Sequence, residues 1–398
     1  EVNFYSLLNS LNPEQEAERF FVKAKHQLEK AAALNCDVFS TVSEITALEA
    51  EKFLERAPDI TLPNGLEEDK LFSFEELAER HRLQRTRLRE FLIAFFFPYY
   101  NFNLENTLFY FLASRYEIKA KGIDVFIKSL SQLNKKLKAQ KSEKTVVAFL
   151  LVPSSVKGVS QEVFENKQYF YDLRDSLEDI SEETEEKILF SLAEGKEFSQ
   201  KVLFSQNFLL SLRKKLLQLK RKGLPPLVTH ELENENDSIL QLLKAEGLLN
   251  KKEDKVKVIF YPDYLNGHDG LSDLNYEEML QACHFGVFPS FYEPWGYTPL
   301  ETAGFGVASL TTDLAGFGRF CLGLERDKKY PGIFVLQRDK REEKEIIKDL
   351  TEILFNFSQY SKKERVESKI QARKIAALTD WKILAKKYIE AHNLCFLK

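Results

Sequence analysis

The stretch that most constrains the fold is residues 285–318, FGVFPSFYEPWGYTPLETAGFGVASLTTDLAGFG. A short apolar strand over 286–290 runs into an irregular Pro/Trp/Gly turn. A helix then starts at Thr298-Pro299, and a second strand over 307–312 ends in a Gly-rich turn at 315–318. Strand–loop–helix–strand is the repeating unit of a parallel sheet, and ligands of such sheets sit outside the carboxyl ends of the strands. Glu293 falls at the loop tip and Glu301 near the helix start, where backbone N–H groups are free to hold an anion.

The rest of the chain alternates in the same way. Residues 13–34 carry Ala17, Phe20, Phe21, Ala24, Leu28 and Ala31 at helical spacing, which predicts one helix with Pro13 in its first turn. Short strands are expected over 37–42 and 59–62, with Ser43 capping a helix over 44–56 between them. Pro63-Asn64-Gly65 is a turn signal. A charged helix spans 74–96. Strands follow at 107–113, 146–152, 227–230, 256–261 and 333–336, with a helix from about Gly122, a basic connector over 135–144, and a short helix over 276–284. Residues 160–222 are long, charged and helical, an insertion whose apolar face suits packing or oligomerisation. Helices over 341–359, 362–377 and 381–397 close the chain.

With 398 residues the chain is long enough for two or three domains of roughly 100–200 residues. A net charge of -4 offers no basic excess for nucleic acid. No apolar run reaches the roughly 18 residues of a membrane span. The four cysteines, Cys36, Cys283, Cys321 and Cys395, form no CxxC pair and suit a reducing compartment.

Taken alone, Glu293 and Glu301 read as an ordinary loop acid and helix-start acid. Their surroundings add to that. Trp295-Gly296-Tyr297-Thr298 supplies successive amides and a hydroxyl at a helix start, and Gly296 permits close backbone approach. Arg115 and Lys121 follow the strand 107–113, so they belong to the same carboxyl edge, where two cations neutralise a diphosphate. Tyr276 is placed to stack on a base, although a helix-start Tyr is usually packing. His230 and His284 flank strands and read as core hydrogen-bonders. No HExxH, DxD or Cys/His cluster implies a metal.

The chain resembles the eukaryotic-type glycogen synthases, retaining glycosyltransferases of family 3. The resemblance is carried by STVSEITALEAE (40–51), PDITLPNGL (58–66), FLASRYEIKAKGIDVF (111–126), THELENENDSIL (229–240), VKVIFYPDYL (256–265) and YEEMLQACHFGVFPSFYEPWGYTPLETAGFGVASLTTDLAGFG (276–318). It implies an α/β GT-B fold of two Rossmann-like domains facing a cleft. Residues 1–103 would be the second half of the amino-terminal, acceptor-side domain. Residues 104–380 would be the nucleotide-sugar domain with the helical insertion, and 381–398 a helix crossing back. The implied reaction moves glucose from UDP-glucose to the 4-hydroxyl of an α-1,4-glucan or glycogen end, with retention, in the cytoplasm, and with no metal or other cofactor. By matching position, Arg115 and Lys121 would bind the diphosphate and Glu293 would stand at the sugar. Glu301 would hold the ribose, Trp295, Gly296, Tyr297 and Thr298 would contact the donor through backbone amides, and Tyr276 would stack on uracil.

The sequence departs from that family in three places. The family's further half-domain, with a Gly-rich loop and a catalytic histidine, has no counterpart here, which implies little turnover by residues 1–398 alone. The sugar-phosphate-sensing helix corresponds to 362–382, where Lys362, Lys363 and Lys369 stand with Arg365 and Arg373. Lysine is a poorer bidentate phosphate binder than arginine, so weak or absent activation by glucose 6-phosphate is expected. The phosphorylated carboxyl-terminal tail of the animal and yeast enzymes also has no counterpart, as in a bacterial or unregulated relative. The insertion 160–222 falls where the family builds oligomer contacts. Two other readings are a non-catalytic glucan- or nucleotide-binding scaffold of this fold, and a synthase using ADP-glucose.

Overall fold

The computed structural model describes residues 4–67, 73–195, 199–325 and 327–397. Residues 1–3 of the expected amino-terminal domain and 196–198 of the expected insertion lie outside them. The strands are β1 (Ser40–Thr41), β2 (Ile60–Thr61), β3 (Thr107–Ala113), β4 (Thr145–Leu151), β5 (Val156–Val159), β6 (His230–Leu232), β7 (Val256–Tyr261), β8 (Phe285–Val287), β9 (Ala308–Thr312) and β10 (Ile333–Leu336). Six of them form one parallel sheet in the order β10-β9-β8-β3-β4-β7. A sheet with helices on both faces hides both sides of each strand, which is why β3, β4 and β7 read as unbroken apolar runs.

Alternate residues of each strand serve the two faces. Leu108, Tyr110 and Leu112 of β3 pack with Phe126 and Leu130 of the helix Ile123–Ala139 and Leu350 and Leu354 of the helix Glu343–Gln359. Phe109 and Phe111 turn the other way, onto Phe91, Phe95 and Phe96 of the helix Phe74–Phe96. Each such side chain contributes about 1.5–3 kcal/mol on burial. The helix Phe74–Phe96, assigned above to the first domain by a boundary at 103, therefore packs on the large sheet. Its apolar stripe matches that sheet's aromatic face, a relation invisible to a reading of linear boundaries.

The amino-terminal unit is smaller. β1 and β2 pair in parallel, Ser40 opposite Ile60 and Thr41 opposite Thr61, around the helix Glu44–Leu54. Ser43 caps that helix in a capping box with Thr46. The chain returns to this unit late: Leu66 and Trp381 exchange backbone bonds with Thr379 and Leu66, just before the helix Trp381–Cys395. The α/β architecture expected of a GT-B chain is thus present as one parallel-sheet unit and a smaller parallel unit beside it.

Three local expectations are corrected. The helix expected over 13–34 breaks into Pro13–Arg19 and Lys23–Asn35. Phe21 adopts a left-handed conformation at the break and Val22 N bonds Ala17 O. Of the apolar stripe that suggested one helix, Ala17 is buried, but Phe20, Phe21 and Leu28 are exposed, Phe21 at 96%. The basic connector expected over 135–144 is helical as far as Ala139. There the Lys136 ammonium lies 4.2 Å from the Phe355 ring centre and pairs with Glu352. The Gly-rich turn at 315–318 is the start of the helix Gly316–Leu322. A Cβ on Gly318 would come within 1.9 Å of Thr312 O, so glycine there permits a backbone contact rather than a bend.

The expected insertion forms the helices Gln161–Glu178, Ser181–Ala193, Gln200–Leu203 and Gln206–Leu219. Gln161–Glu178 lies on Phe74–Phe96, held also by Arg174 to Glu90. No helix of the described residues is long and apolar enough to cross a membrane.

Gly122 is where the fold is least tolerant near β3. Its φ is +67°, and a Cβ there would lie 2.0 Å from Pro289 O. Gly122→Ala is expected to cost at least about 2 kcal/mol, from left-handed strain plus the clash. A denaturation midpoint unchanged from wild type would contradict that.

Candidate functional site

β8 pairs with β3 through Tyr110 opposite Phe285 and Phe111 opposite Gly286. The strand order reverses between them, with β3 leading to β4 on one side and β8 to β9 on the other. That is where a crevice opens at the carboxyl edge of a parallel sheet. The loop after β3 carries Arg115 and Lys121 into it, and the loop after β8 carries Glu293. Lys121 Nζ donates to Glu293 Oε2. Arg115 is mostly exposed and pairs with Glu117 at 3.2 Å.

The Glu293 loop is laced to the segment after β9. Glu293 N bonds Leu314 O at 3.2 Å, Gly316 N bonds Glu293 O at 3.1 Å, and Phe317 N bonds Trp295 O at 2.7 Å. The Trp295 ring does not face a ligand: it is 3% exposed and packs with Phe317 and Phe320. Its contribution to the crevice is backbone. Gly296, at φ +106°, is the N-cap of the helix Tyr297–Gly304, so the amides of this first turn have no partner within the helix, and Gly296, Tyr297 and Thr298 line the crevice.

A cavity of about 380 Å³ is lined by Arg115, Lys121, Glu293, Trp295, Gly296, Tyr297 and Thr298 together. It adjoins a second, of about 440 Å³, that shares Arg115 and Thr298 and reaches Tyr276. Glu301 lines neither cavity; it is partly exposed and accepts from the Tyr276 hydroxyl at 3.3 Å. Burial pushes the Glu301 carboxyl above its usual range, with Tyr276 opposing and Glu277 adding to the shift. The sequence reading missed Asn64, Ser114 and Ser290, which also line the first cavity. Asn64 had a signal, the Pro-Asn-Gly turn, but a turn says nothing of what its side chain meets.

The helix Lys362–Ala377 lies at the opposite edge of the sheet. Lys362, Arg365 and Lys369 line a cavity of about 580 Å³ with Thr107 and His284, at the amino ends of β3 and β8. Lys363 and Arg373 do not. Arg373 lies two turns beyond Arg365, where the helix is pressed under β9 and β10, and is buried there. The facing cations Arg82, Arg85 and Arg89 come from Phe74–Phe96; their spacing put them on one helical face, but nothing in the sequence paired that face with 362–377.

This cavity crowds like charges. Burial, then Arg85 and Arg365, hold the Lys369 amine well below its usual range, and its Nζ lies 2.7 Å from His81 Nδ1. His81, bonded at Nε2 to Phe305 O, is pushed down to about 3, chiefly by burial and then by Lys369. Arg365 donates to Tyr360 O at 2.6 Å. His284 belongs to the core, as its sequence position suggests: its Nδ1 accepts from Phe109 N at 3.0 Å. Among the described residues no group of three or more His, Cys, Asp and Glu is placed to hold a metal ion.

A family model described as glycogen synthase matches residues 1–398. The chain is 37% identical over 395 residues to a glycogen [starch] synthase of Dictyostelium discoideum, covering 99% of this chain and 45% of that one. It is 36% identical over 416 residues to glycogen [starch] synthase isoform 1 of Saccharomyces cerevisiae, covering 99% and 58%. The chain spans about half the length of the curated relatives it matches. Among solved structures, Anabaena Alr3699/HepE in complex with UDP and glucose is similar at a TM-score of 0.47 and 12% identity, over 93% of this chain and 67% of that chain.

Proposed function

The chain belongs to the glycogen synthase family, and from that premise we propose that it carries the nucleotide-sugar half of a retaining, metal-independent glucosyltransferase site. The donor is UDP-glucose and the acceptor is the 4-hydroxyl at the end of an α-1,4-glucan. The observation that carries the reading is the pairing of Lys121 with Glu293 across the β3/β8 crevice, beside the free amides of the Tyr297–Gly304 helix.

In this reading the diphosphate lies between Arg115, Lys121 and the amides at 296–298, with the Thr298 hydroxyl beside it. As the bond from the anomeric carbon to the diphosphate oxygen breaks, negative charge grows on UDP, and the two cations and the helix start stabilise it. Glu293, released from Lys121 by the incoming phosphate, faces the sugar and stabilises the positive charge at the anomeric carbon. The base extends into the adjoining cavity against Tyr276, and the partly exposed Glu301, bonded to the Tyr276 hydroxyl, takes the ribose hydroxyls. The acceptor approaches from the amino-terminal unit's side, where Asn64 already lines the cavity.

Two features outside the crevice complete the proposal. Leu189, Phe190 and Leu192 are exposed on one helix of the insertion and support self-association there. The four cysteines are free, which supports a cytoplasmic protein. Regulation by glucose 6-phosphate is weak or absent, because burial and the neighbouring Arg85 and Arg365 disfavour the charged form of the Lys369 amine and Arg365 already donates to Tyr360 O.

Three outcomes are expected. The complete gene product incorporates labelled glucose from UDP-glucose into glycogen, the isolated 398 residues far less, and Lys121→Ala or Glu293→Gln lowers kcat by about 10²–10³-fold. UDP binding without transfer would favour the scaffold reading, and faster transfer from ADP-glucose would change the donor. UDP-glucose affinity should weaken on acidification, beginning above the ordinary glutamate value of 4.5, because the ionised Glu301 accepts from the ribose hydroxyls and its carboxyl is raised. Calorimetric titration should show that dependence lost in Glu301→Gln; a flat wild-type profile would count against the ribose role. Finally, glucose 6-phosphate should barely raise the rate of the complete protein. A large activation abolished by Arg365→Ala would refute the weak-regulation proposal.

A further inference from the structure

The Glu293 loop is held from a third side that the proposed chemistry does not use. The helix Glu44–Leu54 of the amino-terminal unit reaches it twice, once through Gly316 and once directly. At the helix start, Ser43 lies against Gly316: a Cβ on Gly316 would meet Ser43 Cβ at 2.5 Å and Pro294 O at 2.3 Å. Gly316 is also the residue whose amide holds Glu293 O. Six residues along, about 9 Å further at the rise of an α-helix, Glu49 Oε2 accepts from the hydroxyl of Tyr292 at 2.9 Å. Tyr292 is the immediate neighbour of Glu293. The other oxygen, Glu49 Oε1, accepts from Tyr5 at 2.8 Å.

We infer that Glu49 is a positioning residue for Glu293, a carboxylate that ties the loop carrying it to the amino-terminal unit through Tyr292. The inference rests on the transferase reading above. A half-buried carboxylate held only by two phenols, with no ion pair among the described residues, is an expensive way to stabilise a fold. Burial raises the Glu49 carboxyl against the pull of both phenols. Two buried apolar side chains would join the units at less cost. What the carboxylate adds is direction, since it fixes the Tyr292 hydroxyl and hence the backbone step into Glu293. The bond also crosses from one unit to the other, so it is made only when the two are apposed. The position of Glu293 is thereby linked to a closed crevice.

The test is a mutant cycle in the complete gene product. Glu49→Ala and Tyr292→Phe are each expected to lower kcat by about 10–100-fold, as misplacement of a reacting group by about 1 Å does. The KM for UDP-glucose should change little. Glu49→Gln, which keeps one acceptor oxygen, should recover part of the loss. The double variant Glu49→Ala/Tyr292→Phe should be no slower than the slower single, because both break the same bond. Unchanged kcat in Glu49→Ala, or losses that multiply in the double variant, would overturn the inference. So would a kcat loss that simply follows a fall in melting temperature. If the wild-type protein transfers no glucose, the transferase reading fails on its own, and the tether is read by amide hydrogen exchange over 290–297. Faster exchange there in Glu49→Ala supports it, and exchange equal to wild type overturns it.

Discussion

The structure depends on two strands being neighbours. β3 and β8 are far apart in sequence and pair over only two residues, yet their adjacency creates the crevice. His284 reinforces this short junction. Its backbone amide donates to Phe109 O at 2.8 Å, its Nδ1 accepts from Phe109 N, and its ring meets the Phe109 ring edge-on. Burial and the surrounding arginine and lysine charges hold the imidazole well below its usual range, so it remains the neutral acceptor this bond requires. From that junction the loop of Lys121 and the loop of Glu293 emerge side by side, and their ion pair follows from the topology.

The loop of Glu293 is then fixed largely by its backbone, with the Tyr292 hydroxyl on Glu49 as a side-chain tie. Its amides and carbonyls bond to 314–317, and Arg338 reaches the Pro289 carbonyl from behind. Gly122, Gly316 and Gly318 allow the backbones to approach as closely as they do. A site built this way holds Lys121 and Glu293 against each other and leaves Arg115 on an exposed side chain. The same two strands also end, on their amino side, at the cavity of Arg82, Arg85, Arg365 and Lys369. The sheet therefore has a mixed-charge crevice at one edge and a crowd of cations at the other.

The sequence made much of the large sheet legible. β3, β7 and β10 lie where apolar runs placed them, and the helices Phe74–Phe96 and Lys362–Ala377 begin at their serine caps. Both kinds of signal are local. The failures were of a different kind. The helix over 13–34 breaks at Phe21, and most of its apolar face beyond Ala17 is exposed, which periodicity cannot report. That the Trp295 ring packs into a core formed with Phe317 is distant information, and it leaves the backbone as this residue's way into the crevice, as the resemblance implies. Arg373 shares a stripe with Arg365 and Lys369, yet the cavity ends before reaching it. Of the candidate residues, Lys121, Glu293 and the amides at 296–298 were readable because strand ends and helix starts are. That Asn64 and Glu49 reach this region was not, since it depends on the approach of the two units.

The most direct test of this account is a crystal structure of the protein with UDP bound. The account predicts the diphosphate against Lys121 and the amides of Gly296, Tyr297 and Thr298, the Lys121–Glu293 pair opened, and the uracil beside Tyr276. UDP held instead among Arg85, Arg365 and Lys369, with the β3/β8 crevice empty and the Lys121–Glu293 pair closed, would contradict it.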